Sequence, residues 1–213
     1  MTPYFQDDSV TIYHADAREI VHTLGAFDLM LTDPPYGIGY NATALNLPDA
    51  TERKRIQGDD DCVLAEWLFT VSNASEMLVW GANNFPQLLP HKGVWVCWDK
   101  RLTREADRML GSAFELGWMN RKRGHHKMFR CLHGGVVNHN KGKREHPTEK
   151  PIGLLREILE TLYPKAQIIL DPFGGVGTTA RAAKDAGRKC VTIEIEEEYC
   201  EAAARRMQQS VLL

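Results

Sequence analysis

The stretch QIILDPFGGVGTTARAAKDAG, residues 167–187, contains the change of period that decides the fold. Residues 167–171 are an apolar run that stops at Asp171, the pattern of a buried strand. Gly175-Val176-Gly177-Thr178-Thr179-Ala180 then fits G-x-G-x-x-A. Glycines there let the chain turn tightly and let a ligand come close. A helix that follows directs free N–H groups at that ligand. Residues 178–187 carry the helix, and Gly187 is placed to end it. Glu194 lies 17 residues past Gly177, near the end of the next apolar run, KCVTIEI (189–195). An acid at that place can accept hydrogen bonds from both hydroxyls of a ribose. A turn that only packs helix on strand would look similar. The pattern also does not separate a nicotinamide cofactor from S-adenosylmethionine, because both carry an adenosine. Asp171-Pro172-Phe173 ahead of the glycines points away from the dinucleotide, whose loop usually has glycine earlier.

Outward from that junction, apolar strands alternate with helical patterns. VTIYH (10–14), FDLMLT (27–32), MLVWGA (77–82), GVWVCWDK (93–100) and the weaker AFELGWMN (113–120) read as strands. Residues 17–24, 61–72, 151–163 and 196–209 read as helices, with Asp59 and Asp60 as caps for the second and Pro151 at or near the start of the third. Alternation of this kind predicts an α/β fold with a mostly parallel, doubly wound sheet. No repeat, low-complexity tract or linker interrupts it, so one domain over 1–213 is expected. Residues 37–58 have no clear period and are long for a plain loop, which suggests a functional segment.

A second strand also ends on an acid. LMLTDPPYGIGY, residues 29–40, runs from an apolar strand into Asp33-Pro34-Pro35-Tyr36. Ligands of open parallel sheets bind beyond the carboxyl ends of strands, where strand order reverses. If the strands ending at Asp33 and Asp171 are neighbours, both loops face one crevice. The two prolines remove two N–H donors. The segment then offers acceptors, the Asp33 carboxylate and the Pro34 carbonyl, suited to an amino group with two hydrogens. Tyr36 supplies a ring on which a planar base can stack. A base in a duplex must be flipped out to reach such a site.

These residues resemble an amino-group DNA methyltransferase family that uses S-adenosylmethionine. Asp33-Pro34-Pro35-Tyr36 matches the family's (D/N/S)-P-P-(Y/F). Asp171 to Thr179 matches its cofactor loop, and HPTEKP, residues 146–151, matches its H-P-T-x-K-P element. The catalytic motif comes first, which is similar to the permuted β group. The resemblance spans about residues 10–208 and implies a circularly permuted Rossmann-like fold. It implies catalytic Asp33, Pro34, Pro35 and Tyr36. It also implies a cofactor site of Asp171, Pro172, Phe173, Gly174, Gly175, Gly177 and Thr178, with Glu194 on the ribose and Asp16 at the adenine. Thr148 and Lys150 would lie against the methionine end. The implied reaction is in-line attack of an exocyclic amine on the sulfonium methyl. Asp followed by Tyr in the catalytic motif leans toward adenine N6 in DNA. Cytosine N4 is the alternative, and an RNA or protein-amide methyltransferase or an inactive relative stays open.

The chain has 213 residues and a net charge of −2. Residues 101–146 hold eleven Lys/Arg against four Asp/Glu, while the rest is acidic. A basic patch on an acidic body suggests a polyanion partner, here double-stranded DNA. Arg121, Lys122, Arg123, Lys127, Arg130, Lys141, Lys143 and Arg144 are the candidate phosphate contacts, and a solvated basic loop is the plain alternative. Zinc ligation by His125, Cys131, His133 and His139 fits no standard spacing, so no metal is expected. Trp67, Trp80, Trp95 and Trp98 sit within helix or strand patterns and read as core. Five scattered cysteines suit reduced thiols. With no apolar run of membrane-spanning length and no signal pattern at the first residues, no membrane partner and a cytosolic location are expected. The resemblance makes the source prokaryotic or phage. A homodimer is left open.

Overall fold

The computed structural model describes residues 1–36, 62–71, 73–101, 112–121, 123–131 and 149–209. The strands are β1 (Phe5–Gln6), β2 (Val10–His14), β3 (Phe27–Thr32), β4 (Ala74–Trp80), β5 (Val94–Asp99), β6 (Phe114–Met119), β7 (Lys127–Arg130), β8 (Ile168–Asp171) and β9 (Lys189–Glu194). The helices are α1 (Ala17–Ile20), α2 (Val63–Leu68), α3 (Ile152–Leu162), α4 (Thr178–Asp185) and α5 (Glu197–Gln208). Among the described residues, the nine strands join one sheet in the order β1-β2-β9-β8-β3-β4-β6-β5-β7. Pairing is parallel from β2 through β4 and again between β5 and β7. β1 and β6 run against their neighbours.

Strand residues alternate between two faces, and each face has its own core. Leu29, Leu31, Leu78 and Trp80 pack with α3, α4 and α5, through Leu155, Ile158, Ala183 and Met207. Met30, Met77 and Val79 point the other way and pack with α1 and α2, through Ile20, Ala65 and Leu68. A sheet covered on both faces explains why β3 is apolar at nearly every position. Parallel pairing is what the crossover helices require.

The sequence patterns locate the interior elements and miss the edges. β1 is two residues long, too short to show a period. β7 buries only Phe129, so KMFR carries no strand signal. The strand read at 77–82 runs instead over Ala74–Trp80, because Gly81 adopts φ +69° and turns the chain. The helix read at 61–72 is Val63–Leu68, closed where the Thr70 hydroxyl donates to Trp67 O at 2.7 Å. Its expected caps, Asp59 and Asp60, and the 37–58 segment lie outside the described residues. Among the described residues no helix is long and apolar enough to cross a membrane. All five cysteines are free thiols.

Candidate active site

β3 and β8 are neighbours, paired in parallel through Leu29–Ile169 and Met30–Leu170. From this pair β4 lies on one side and β9 on the other, so strand order reverses between them. A crevice at the carboxyl ends of β3 and β8 follows from that reversal. The Thr32 hydroxyl ties the two ends together, donating to Asp171 Oδ1 at 2.7 Å.

At the β3 end, Asp33 sits in a chain of charges. The Tyr36 hydroxyl donates to its Oδ1, and the Lys150 ammonium donates to its Oδ2. Lys150 also lies 3.3 Å from Glu115 Oε2, and Lys100 donates to Glu115 Oε1. Lys150 Nζ stands 5.3 Å from the centroid of the Trp80 ring. With its side chain only 4% exposed, Lys150 has to stay close to anions to remain charged. Burial pulls its ammonium down, but Asp33 and Glu115 outweigh that and hold it above the usual lysine value. Burial pushes the Asp33 carboxyl up; Lys150 opposes, Glu115 adds to the rise, and the net value stays raised. Glu115 is lowered, since the two lysines overcome its own desolvation.

Local sequence explains the placement. Pro34 and Pro35 carry no N–H, so neither of the two residues after Asp33 offers a backbone donor to its end of the strand. Gly81 lets the Tyr36 ring lie against the backbone after β4, for a Cβ there would overlap the ring. Gly117 similarly leaves room for Trp80. The segment bearing Lys150 is anchored by its neighbour Glu149, paired at 2.8 Å with Arg206 of α5.

At the β8 end the loop shapes itself. Gly174 N–H donates to Ile193 O at 2.8 Å, and a Cβ on Gly174 would overlap the Thr192 hydroxyl. Gly177, at φ +77°, opens α4, where a Cβ would come 2.8 Å from Ala203. Glu194 accepts from Gly175 N–H at 2.7 Å and Glu196 N–H at 2.8 Å, and burial pushes its carboxyl up against those bonds. Phe173 meets Trp67 edge-on at 6.1 Å between ring centroids. Asp171 is 3% exposed and, among the described residues, accepts only from neutral donors: Thr32, Thr179 and Phe173 N–H. Burial pushes its carboxyl up to about 6.

The sequence-derived candidates divide in space. Asp33, Pro34, Pro35, Tyr36, Asp171, Pro172, Phe173, Gly174, Gly175, Gly177, Thr178 and Glu194 all gather at the carboxyl edge of the sheet. Lys150 joins them, but on Asp33. Asp16 stands at the end of β2 as the N-cap of α1, its carboxylate gripped by Arg18 down to 2.6 Å and thereby lowered. The Thr178 hydroxyl accepts from Arg206 at 3.0 Å. Thr148, His133, His139, Lys122, Lys141, Lys143 and Arg144 lie outside the described residues.

The basic candidates split between the two edges of the sheet. Arg121 follows β6, which runs back to the amino edge, opposite the crevice. Its guanidinium holds Glu76 at 3.0 Å and Leu162 O at 2.6 Å and stands 4.7 Å from the centroid of the Tyr163 ring. It thus closes the end of α3. Arg123 is exposed at the same edge. Arg130 ends β7 at the carboxyl edge, 63% exposed and 3.3 Å from Asp99. Lys127 opens the same strand and is exposed. Trp80 and Trp98 are core, whereas Trp67 and Trp95 are half-buried. Glu115, Lys100, Gly81 and Arg206 were not legible as site residues, because each acts through a tertiary neighbour.

Comparison with known proteins fits this arrangement. Residues 84–205, more than half of the chain, match the N6_N4_Mtase family, described as DNA methylase. The chain belongs to the DNA methylase family. That match includes the glycine loop, Glu115 and Lys150, while Asp33 to Tyr36 precede it. The putative methylase YubD of Escherichia coli (strain K12) is 42% identical over 66 residues, 31% of this chain and 29% of that protein. The type II methyltransferase M.ScaI of Streptomyces caespitosus is 24% identical across 97% of this chain and 84% of its own length. Among solved structures, the M1.HpyAVI–SAM complex covers 94% of this chain and 100% of its own at TM-score 0.56 and 23% identity. The cytosine-N4-specific PvuII DNA methyltransferase covers 99% and 90% at TM-score 0.68 and 14% identity. Those two likenesses are of fold, and the fold is the Rossmann-like α/β fold that the resemblance implied, with the Asp33 motif ahead of the glycine loop.

Proposed function

We propose that the chain transfers a methyl group from S-adenosylmethionine to adenine N6 in double-stranded DNA, after the base is flipped out. The observation that carries this reading is the pair of adjoining strand ends. One holds a carboxylate with an aromatic hydroxyl and a buried lysine, and the other holds a glycine turn with an acid on the next strand.

The β8 end suits the cofactor. The N-terminus of α4 follows directly on a glycine turn, and Glu194 beside it is oriented by backbone N–H groups with a lone pair to spare. Phe173 offers a half-buried ring, and Asp171 a buried carboxylate with no cation among its described partners. An adenosine whose tail carries positive charge meets each of these features. When bound, S-adenosylmethionine supplies an electrophilic methyl group. Glu194 would hold the ribose and Phe173 the adenine.

The β3 end suits an amine. An exocyclic amine on a heterocycle is a poor nucleophile, because its lone pair is delocalised into the ring. Asp33 and the Pro34 carbonyl accept its two N–H bonds, which draws the nitrogen toward a tetrahedral state and localises the lone pair. Fixed acceptors at the reacting group need no reorganisation during reaction. Asp33 is the group placed to take the proton that the amine sheds as it is methylated. Tyr36 and Lys150 hold the carboxylate still. Arg130, Lys127 and the basic residues outside the described set would contact phosphates.

The leaning toward adenine rests on Asp33 and Tyr36 in the motif. Incubation with labelled donor and separate DNA, RNA and protein substrates, followed by nucleoside analysis, tests the reading. N6-methyladenine in DNA is the expected product. N4-methylcytosine would change the base, and label confined to RNA or protein would change the class.

A further inference from the structure

Glu115 has no part in the chemistry just described, yet it occupies the middle of the charge chain. It lies on β6, at the carboxyl edge, between Lys150 and Lys100. Four charges alternate in sign along Asp33, Lys150, Glu115 and Lys100, so the cluster is neutral. Without Glu115 the buried ammonium of Lys150 would face one carboxylate alone. That arrangement would hold Asp33 as an anion with little tendency to accept a proton. With Glu115 the ammonium is divided between two carboxylates.

We propose that Glu115 is a positioning residue that acts through Lys150, keeping Asp33 basic enough to take the amine proton while Lys150 still fixes its geometry. This rests on the methyl-transfer reading above. In that reaction the N–C bond forms, the sulfur keeps the electron pair of the broken S–C bond, and the amine's N–H proton passes to Asp33. Asp33 then becomes neutral, and Lys150 remains paired with Glu115, so no buried ammonium is left alone. The groups that face Asp33 are Tyr36 on its own turn, Lys150 ahead of α3, Glu115 on β6 and Asp171 on β8. Lys100, following β5, acts on Asp33 through Glu115. The Trp80 ring, its centroid 5.3 Å from Lys150 Nζ, is a further neighbour of the ammonium.

The two ends of the chain give opposite signs, which makes the test specific. Glu115→Gln removes a negative charge and leaves Lys150 wholly to Asp33. Carboxyl-carbon NMR of the cofactor-free protein should show Asp33 titrating about one pH unit lower. The acid limb of kcat should move down with it, and kcat at neutral pH should fall about tenfold with donor and DNA affinity nearly unchanged. Lys100→Met removes a positive charge and turns Glu115 wholly to Lys150. Asp33 should then titrate higher, and the acid limb should move up. Glu115→Asp should recover most of the wild-type profile. A Glu115 that serves only the fold would lower activity at every pH and leave both titrations in place, and that result overturns the proposal. Should Glu115→Gln not fold, Lys100→Met decides alone through the sign of its shift. Asp33→Ala run alongside separates the two readings. If it stays active, the methyl-transfer reading fails; if it is dead while Glu115→Gln keeps the wild-type profile, only the role of Glu115 fails.

Discussion

Two adjoining strands of this molecule end in the same dipeptide, Asp33-Pro34 on β3 and Asp171-Pro172 on β8, and the two ends are built in opposite ways. Asp33 is 24% exposed at its side chain and faces a lysine. Asp171 is 3% exposed and faces hydroxyls and an N–H. A carboxylate beside a buried cation is held in place, ready to accept hydrogen bonds from a substrate. A carboxylate among neutral donors shapes its own loop and carries an uncompensated charge that a cationic ligand can relieve. Identical sequence punctuation thus yields one end suited to reaction and one suited to binding, and the partners supplied by distant segments make the difference.

The sharpest break of that contrast is Asp33→Ala. Methyl transfer should fall by at least about a thousandfold, while donor affinity changes less than about threefold. Single-turnover assay beside calorimetric titration of the donor reads both. Substantial turnover in the variant would remove Asp33 from the chemistry. Glu115 remains to pair Lys150, so the fold should survive.

Each end also depends on one glycine, and the two glycines should fail differently. Gly81→Ala pushes on the Tyr36 ring and adds a side chain at φ +69°. Turnover should drop about tenfold with donor affinity kept, at a stability loss of about 1–3 kcal/mol. Gly174→Ala pushes instead on Thr192 beneath the glycine loop. Donor affinity should weaken about tenfold, and turnover at saturating donor should stay near wild type. Pairing it with Thr192→Ala should return much of the affinity, a coupling that a double-mutant cycle measures. Equal effects of the two glycine variants on binding and on turnover would erase the distinction between the ends.

How much of this was legible beforehand follows from the kind of signal involved. β3, β8 and β9 are buried on both faces, so their apolar runs mark them, and the glycine turn has a local period that no tertiary context is needed to read. Asp33 and Asp171 were therefore found from sequence. Their pairings were not. Lys150 lies 117 positions from Asp33, and its pairing depends on where the segment ahead of α3 meets the sheet. Charge counting grouped Arg121 with Arg130, although β6 carries the one to the amino edge and β7 carries the other to the carboxyl edge. Composition reports charge but not direction, and an antiparallel strand inside a parallel sheet reverses direction. Edge strands β1 and β7 escaped because little of either is buried.

The smallest effect is a pH dependence of stability and donor binding, and it falls on the β8 end. Asp171 titrates near 6 in the folded protein, above the about 4 of an unfolded aspartate. The folded state therefore binds the extra proton between those two values. This group's contribution to stability rises as pH falls from about 6 toward 4, by up to about 3 kcal/mol, and is absent well above 6. Binding of a cationic donor has the opposite preference, because it favours the carboxylate. Donor affinity should weaken several-fold as pH drops through about 6, and donor binding there should release a proton into the buffer. Asp171→Asn should flatten both profiles, leaving a weaker affinity that no longer varies across that range. Calorimetry in buffers of different ionisation enthalpy, between pH 5 and 8, reads the proton release directly. A profile that persists unchanged in Asp171→Asn would move the titrating group elsewhere, with Glu194, also raised by burial, the next carboxylate to test.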